Sequence, residues 1–405
     1  MELSEHQVDS TYAWAVAAAT LLMASLSFGA VTSVPILFEP IYREFGWSYA
    51  LIASIHTSAM VGAGIGSIIL GRILDKRGFL IIGLGAGLAT GLGLVLASFA
   101  TSIWQMYFAY GLLVGGIGQG AFFSPLAAAV SHWFDRHRAL AVAIALSGQG
   151  VGGLLAPPLL RIAAERIGWR AALQGYGLFC TLAMVGAAFL YKPKAPKNLN
   201  VMASEILCVT PEPDQRKRSA LQLCVALCCS NTATFGIAGH MVAYGEFVGF
   251  GPAGAAAIMS ALFCITLISR LSVGYILSRI DAYKMLLVMS LLHMGGAWLL
   301  VTASSPFQLM AAVLFIGLGF GGYLPTYAAI VRRMFPAEEA GRRLTELYLL
   351  AFVGAGSGTW MVGAFRDLNG GAFDWGFLAS AILASLACAL LLNLQRVLNI
   401  AKSTS

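Results

Sequence analysis

The chain has 405 residues, of which 59% are hydrophobic and only 11% are charged. Water-soluble domains carry about 25% charged residues, so the composition excludes a protein whose surface mainly faces water. The formal net charge of +7 would suit a nucleic-acid-binding protein. However, the apolar residues come in runs of about 20, the length that crosses a hydrocarbon core roughly 30 Å thick.

Twelve such runs follow one another along the chain. The first six are predicted at 12–38, 48–71, 79–99, 103–130, 139–163 and 170–191, and the last six at 219–249, 253–278, 283–303, 306–331, 344–364 and 375–395. The stretch between the two sets is polar, rich in proline and basic residues, and offers little that could form a core. We therefore expect an all-α integral membrane protein with twelve transmembrane helices. Its predicted parts are an N-terminal six-helix bundle over 1–191, a cytoplasmic linker over 192–218 and a C-terminal six-helix bundle over 219–405.

Lysine and arginine fall unevenly on the two sides of these segments. If the N-terminus is cytoplasmic, most basic residues, including those of the linker, lie in cytoplasmic loops. The positive-inside rule then predicts a multi-pass cell-membrane protein with both termini cytoplasmic. The same distribution explains the basic balance without any nucleic-acid partner. The basic residues left on the opposite side are Arg43, Arg161, Arg166, Arg170 and Arg366.

The two sets of six segments resemble each other in their glycine patterns. The run Gly-Ile-Gly-Gln-Gly-Ala-Phe-Phe-Ser-Pro at 116–125 recurs as Gly-Leu-Gly-Phe-Gly-Gly-Tyr-Leu-Pro at 317–325. Both runs lead into an alanine-rich stretch, and alternating glycines at 148–152 match those at 354–358. This similarity indicates two pseudo-symmetric halves, and parallel repeats of six helices are typical of transporters with a site near the membrane midplane.

A charged motif lies between segments 2 and 3, with the sequence Gly71-Arg-Ile-Leu-Asp75-Lys76-Arg77-Gly78. It resembles the GxxxD-[RK]-x-G signature of the major facilitator superfamily and lies in the loop where that family carries it. The resemblance implies the twelve-helix fold of that family and a gating role for the motif. We expect Gly71 to permit close helix approach and Asp75 to cap a helix or pair with a cation. The alternative is an ordinary charged loop.

Two further motifs narrow the resemblance. Asp9-Ser-Thr-Tyr-Ala-Trp14, which opens segment 1, is similar to the D-G-G-[WF]-[GA]-W signature of monocarboxylate transporters, with serine and threonine in place of the glycines. Trp133-Phe-Asp-Arg-His-Arg-Ala-Leu-Ala141 resembles the signature that precedes their fifth segment. The chain is thus identified as similar to monocarboxylate transporters of bacterial type. That resemblance implies a small organic anion as substrate and a proton as co-substrate.

Arg270 is the residue that the membrane context makes most informative. It lies about 12 Å inside segment 8 at the 1.5 Å rise of a helix. Burying arginine at that depth costs about 2.5–3.5 kcal/mol, and no aspartate or glutamate lies deep in another segment to offset this cost. A guanidinium that faces a water-filled cavity can bind a carboxylate with two parallel hydrogen bonds. The alternatives are an arginine that bonds only helix carbonyls or extends towards the inner surface.

The family resemblance supports a carboxylate-binding role for Arg270, because monocarboxylate transporters carry a substrate-binding arginine on this helix. The sequence also departs from the family. Animal members have an aspartate where this chain has Thr266, and a first-helix lysine near Thr32 and Ser33, and both groups serve proton coupling there. His240 on segment 7 matches a histidine of bacterial relatives. An imidazole can change charge near physiological pH, so His240 is the candidate for proton coupling.

The remaining predicted substrate contacts are Thr266 and the aromatic residues Phe123, Tyr323 and Tyr327. Tyrosine offers a hydroxyl for a carboxylate or hydroxy group, whereas phenylalanine offers an apolar wall; helix packing is the alternative for each. One buried cation balances one carboxylate best. Oxalate-type exchangers use a second cation on segment 11, and Leu344–Gly358 offers only Glu346 near its start. The charge count therefore favours a monocarboxylate of the lactate or pyruvate type.

These observations predict a secondary active transporter that works by alternating access. Two alternatives remain: an organic-anion exchanger of the oxalate or formate type, and an exporter of another small amphiphile. No enzyme is expected, because the sequence shows no Ser/His/Asp set, metal-ligand cluster or phosphate-binding loop. For the same reason we expect no cofactor and no metal. The expected partners are a small organic anion, a proton and the lipid bilayer, with the monomer as the functional unit.

Overall fold

The structure is a computed structural model, and it describes residues 8–122, 124–131, 133–191, 213–277, 279–335 and 337–403. These residues form an all-α protein. Eleven helices of the described part are long and apolar enough to cross a membrane. Large apolar side chains such as Leu159, Leu182 and Ile268 are more than half exposed, as expected where the surrounding solvent is lipid.

The helices of the first half follow the predicted segments closely. They are α1 (Thr11–Ile36), α2 (Phe38–Phe45), α3 (Tyr49–Arg77), α4 (Phe79–Ser98), α5 (Ile103–Met106), α6 (Ser124–Ser131), α7 (Arg138–Leu146), α8 (Gly148–Ile167) and α9 (Trp169–Ala188). Serine caps begin two of the long ones: Ser10 accepts from the Ala13 N–H before α1, and Ser48 from the Leu51 N–H before α3. A left-handed Gly46 ends the short helix α2.

Segment 4 is less regular than its hydropathy suggests. Between α5 and α6 the backbone follows a π-helix over Tyr107–Gln119. Glycines on this stretch lie against α3 so closely that a Cβ at Gly66 would collide with the backbone of Gly116. Segment 4 is the one predicted membrane segment that is not among the eleven long helices, and it is present as α5, the π-helix and α6 in succession. The twelve-helix architecture is therefore confirmed.

The second half contains six long helices. They are α10 (Pro213–Phe247), α11 (Gly251–Ile276), α12 (Ala282–Val301), α13 (Pro306–Met334), α14 (Ala337–Leu368) and α15 (Asp374–Ser403). Contacts within the chain divide it into two compact units. The first comprises Met1–Val201 and Met241–Ser260, and the second comprises Met202–His240 and Ala261–Ser405. The end of α10 and the start of α11 thus pack with the first unit. Most of the predicted linker lies outside the described residues, so the predicted domain boundaries stay a prediction.

The internal repeat recurs in the packing within each unit. In the first unit Gly152 of α8 lies against the backbone of Ser25 on α1, and in the second Gly358 of α14 lies against the backbone of Thr232 on α10. A Cβ at either glycine would overlap a carbonyl oxygen of the neighbouring helix. Both glycines are therefore required for close helix approach.

Candidate functional site

The two motifs that resemble monocarboxylate transporter signatures contact each other in the first unit. The Asp9 carboxylate accepts hydrogen bonds from the backbone N–H groups of Asp135, Arg136 and His137 at 3.3, 2.9 and 3.3 Å. Burial alone would raise the pKa of Asp9, but these three N–H donors outweigh it and hold that pKa below its ordinary value. The Tyr12 ring also packs on Trp133, with ring centroids 5.5 Å apart. Contacts between the two signatures thus connect the start of α1 to the loop before α7.

The charged motif after segment 2 is only partly described. Helix α3 ends at Arg77, and Gly78 follows with a positive φ of 76°, which explains why glycine stands there. The side chain of Asp75 lies outside the described residues, so its predicted capping role stays a prediction. The expectation that Gly71 permits close helix approach is wrong, because a Cβ there would meet no described atom within 4 Å. Lys76 and Arg77 are exposed.

The first unit contains a buried ion pair that was not predicted from the sequence. Arg161 of α8 places Nη2 2.6 Å from Oε1 of Glu246 on α10, and the two side chains are only 6% and 14% exposed. Both residues line a cavity of about 440 Å³ together with Glu39, Glu44 and Glu165. Each charge lies near the end of its segment, so the sequence pattern assigns both to loops.

The wall of this cavity is ordered by hydrogen bonds to Glu44. Trp169 donates to one carboxylate oxygen at 2.6 Å, and Arg170 donates to the other from Nε and Nη2 at 2.9 and 2.7 Å. Burial by itself would raise the pKa of Glu44, but these donors outweigh it and lower that pKa. Glu44 therefore stays ionised, and the cavity carries more carboxylates than guanidinium groups.

Arg270 lies in the second unit and is buried, at 7% exposure, six residues before the end of α11. Its Nε lies 3.5 Å from the carbonyl oxygen of Gly321 on α13, which is at the long end for a hydrogen bond. Tyr348 of α14 is close enough for electrostatic interaction with the guanidinium. Thr266, one turn earlier, donates its hydroxyl to the Leu262 carbonyl of its own helix at 2.8 Å.

His240 is fully buried on α10 and also belongs to the second unit. Its Nε2 donates to the Thr359 carbonyl of α14 at 2.8 Å, and its ring lies against Phe373. Thr359 and Tyr348 are 11 residues apart on α14, which corresponds to about 16 Å along the helix axis. His240 and Arg270 therefore contact α14 at different heights.

The two predicted tyrosines lie together, whereas Phe123 lies outside the described residues. The ring centroids of Tyr323 and Tyr327 are 6.3 Å apart, and both side chains are fully buried. The Tyr323 ring meets the imidazole of His293 edge-on at 5.6 Å. The contact of His293 with this pair could not be predicted, because nothing in a single sequence aligns α12 with α13.

Comparisons with known proteins decide the family. The model of the Major Facilitator Superfamily matches residues 19–306 and 223–403, which together cover most of the chain. The chain belongs to the major facilitator superfamily. The protein is therefore a multi-pass membrane transporter, as the sequence motifs predicted.

Mammalian and fungal transporters are among the relatives of this transporter. It is 26% identical over 364 residues to monocarboxylate transporter 13 of Bos taurus, with 89% of this chain and 84% of the relative aligned. It is also 26% identical over 411 residues to monocarboxylate transporter 11 of Homo sapiens, over 96% and 84% of the two chains. A transporter of the same superfamily from Aspergillus flavus is 25% identical over 373 residues, over 89% and 81% of the chains. These relatives do not support the bacterial subtype.

Solved structures agree on the fold of the transporter. A bacterial homologue of the human lysosomal transporter Spinster superposes with a TM-score of 0.74 at 17% identity, over 96% of this chain and 98% of that one. A peptide transporter in complex with sulfate superposes with a TM-score of 0.72 at 14% identity, over 95% of both chains. At these identities the likeness bears on architecture alone.

Proposed function

We propose that the protein is a secondary active transporter of a small monocarboxylate of the lactate or pyruvate type, coupled to protons and working by alternating access. The observation that carries the proposal is Arg270, a buried cation on a membrane-spanning helix of a chain similar to monocarboxylate transporters. A cation at this position is costly in a membrane. Attraction of a bound anion would offset the free energy of burying Arg270, which explains why an arginine can lie there.

The contacts of Arg270 suit a carboxylate ligand. A guanidinium presents a planar fork of donors that matches two carboxylate oxygens, and the 3.5 Å contact to Gly321 uses the Nε only weakly. Thr266 and the tyrosines Tyr323 and Tyr327 are proposed to shape the rest of the site, with Phe123 as an apolar wall. His240 is proposed to contact the substrate and respond to protons.

Charge counting supports a monoanion over a dianion. The start of α14 carries Glu346, which pairs with Arg343 at 2.9 Å and lies near Arg342 at 3.7 Å. These side chains are partly exposed at the helix end, so neither arginine adds a second buried cation beside Arg270. A single cation neutralises a single carboxylate, and a second carboxylate would remain uncompensated in a low-dielectric site.

The proposal includes the organisation of the chain. We place the N-terminal bundle at 1–191, the cytoplasmic linker at 192–218 and the C-terminal bundle at 219–405, with both termini cytoplasmic. The motif that ends at Gly78 is proposed to act in gating, and the monomer is the transporting unit. The support comes from the distribution of lysine and arginine and from the glycine packing that recurs in both halves.

Uptake by the purified protein in proteoliposomes tests the substrate class. We expect accumulation of L-lactate and pyruvate under an inward proton gradient, and much weaker uptake of oxalate. Arg270→Lys keeps the charge but loses the fork, so lactate uptake should fall about tenfold or more. Equal uptake of oxalate and lactate would contradict the monocarboxylate assignment. Accumulation driven only by internal anion would identify an exchanger.

A further inference from the structure

We propose that His293 takes up the proton that accompanies the substrate anion, and that the hydroxyl groups around it hold the water that delivers this proton. The inference rests on the proposed proton-coupled transport. It assigns the transported proton to His293 instead of His240, which keeps its proposed role as a substrate contact. The site belongs entirely to the second unit, where α10, α12 and α13 meet.

His293 lies near the middle of a membrane-spanning helix. It follows Ala282, the first residue of α12, by 11 residues, or about 16 Å of a hydrocarbon core about 30 Å thick. The side chain is fully buried. A Cβ at Gly319 of α13 would lie 2.7 Å from the Cβ of His293, so a glycine at this point lets the two helices meet. The same face of α13 then presents Tyr323 to the imidazole ring.

Hydrogen-bond logic assigns the two ring nitrogens of His293. The Thr234 hydroxyl has one proton, which it donates to the Ser230 carbonyl at 2.8 Å. With that proton on the Ser230 carbonyl, the hydroxyl oxygen accepts from His293 Nε2, which lies 3.0 Å away. The Nε2 carries the hydrogen, and the Nδ1 of the neutral ring carries a lone pair. Within the described residues that Nδ1 has no hydrogen-bond partner, so it is the place where an incoming proton would bind.

Four more buried hydroxyl groups, on Ser230, Ser290, Tyr323 and Tyr327, lie on the same three helices and approach one another without a hydrogen bond of good geometry among the described residues. The Tyr323 hydroxyl lies close to Ser230 and Ser290, and Tyr327 follows one turn along α13. Buried polar atoms almost always have hydrogen-bond partners, and internal water bridges them where protein groups do not. A cluster of hydroxyls around a basic nitrogen is therefore suited to hold water and to pass a proton to Nδ1.

Titratable groups near His293 are few. Among the described residues they are Tyr323 and Tyr327 on α13, Cys388 on α15, which lies near Ser290 and Tyr323, and Cys224 and Cys229 on α10, which lie near Tyr327. Within the described part of the chain, no charged side chain acts electrostatically on the ring. Burial without a counter-charge disfavours the protonated ring, so a proton bound there would be released readily.

Helix α13 connects this site to Arg270. The carbonyl of Gly321 faces Arg270 Nε, and Gly319, two residues earlier, packs on His293. A bound anion would neutralise Arg270 and remove its repulsion of a second cation in the same unit. Anion and proton would then bind cooperatively. The proton forms an N–H bond at Nδ1 on one side of the membrane and returns to water on the other, with no net change in the protein.

Two transport modes of the full-length protein in proteoliposomes test this assignment. For a one-to-one symport, an inward gradient of one pH unit drives about tenfold accumulation of L-lactate. We expect His293→Gln to abolish this accumulation while lactate–lactate exchange at equal pH stays within about twofold of wild type. Preserved exchange also shows that the variant is folded. Thr234→Val removes the acceptor that orients the ring, and should shift the pH profile of uptake without abolishing exchange.

The results of these experiments distinguish a failure of the proposed role of His293 from a failure of the proposed transport function. Arg270→Lys should reduce both transport modes, and His240→Gln, which changes a proposed substrate contact, should weaken both modes to a similar extent. Full pH-driven accumulation in His293→Gln, with loss in Arg270→Lys or His240→Gln, would overturn the role of His293 alone. Wild-type protein that shows no lactate uptake, or no response to the pH gradient, would overturn the proposed coupled transport and this inference with it.

Discussion

The buried pair between Arg161 and Glu246 allows a quantitative prediction of stability. Glu246→Gln leaves the Arg161 guanidinium buried without its counter-ion, and removal of one partner of a buried pair costs about 3–5 kcal/mol. The Glu246 side chain is 14% exposed, and further carboxylates line the same cavity. Both features offset part of the loss, so we expect the lower end, about 3 kcal/mol.

The neighbouring pair of Arg43 and Glu39 supplies a matched control. Its atoms are 2.8 Å apart, but the Arg43 side chain is 74% exposed, and exposed pairs contribute about 0.2–1 kcal/mol. Thermal unfolding of purified protein in detergent should therefore show a much larger fall in Tm for Glu246→Gln than for Arg43→Gln. The double variant Arg161→Leu with Glu246→Leu should recover most of the loss, because it leaves no buried charge. Equal shifts for the two single variants would refute this reasoning.

Two further predictions concern the frame of the protein. Asp9→Asn weakens an acceptor of three backbone hydrogen bonds and should lower unfolding stability by about 1–2 kcal/mol at pH 7. Because the folded-state pKa of Asp9 lies below its ordinary value of 3.8, this contribution is present above that pH and is lost as the pH falls through the folded value. The difference between wild type and Asp9→Asn should therefore shrink in strong acid; a constant difference in Tm would contradict it. Gly358→Ala places a Cβ against the Thr232 carbonyl and should lower Tm by several degrees. As its control, Gly175→Ala on α9 adds a Cβ that meets no described atom, so Tm should stay unchanged or rise slightly. Similar losses of Tm for both variants would show that close helix approach is not the cause.

The twelve segments could be predicted because hydropathy and length alone decide which stretches cross a bilayer. The interruption of segment 4 by a π-helix could not be predicted from hydropathy, because it depends on how glycines of that segment meet α3. The motif resemblances predicted the superfamily, and it is confirmed. They gave no reason to expect that the two shorter motifs touch, which follows only from Asp9 accepting the N–H groups of a loop 126 to 128 residues away.

The candidate site could be predicted in part. Arg270 could be identified because a cation inside an apolar run is visible in the sequence itself. The pair of Arg161 and Glu246 was not, since each residue lies near a helix end and the partners are 85 positions apart. His293 could not be singled out from the sequence, because its environment of hydroxyl groups comes largely from two other helices. The proposed proton-binding role of His293 depends on residues of other helices, which only the folded structure places next to it.

Binding of L-lactate to purified protein tests the central claim, that Arg270 anchors a carboxylate. The affinity should be measured for wild type, for Arg270→Lys and for Arg279→Lys, an exposed arginine just beyond the same helix, with the neutral amide of lactate as competitor. We predict that Arg270→Lys weakens lactate binding about tenfold or more, that Arg279→Lys does not, and that the amide competes poorly with wild type. Lactate binding by Arg270→Lys as tight as that of wild type, or equal competition by the amide, would contradict the account.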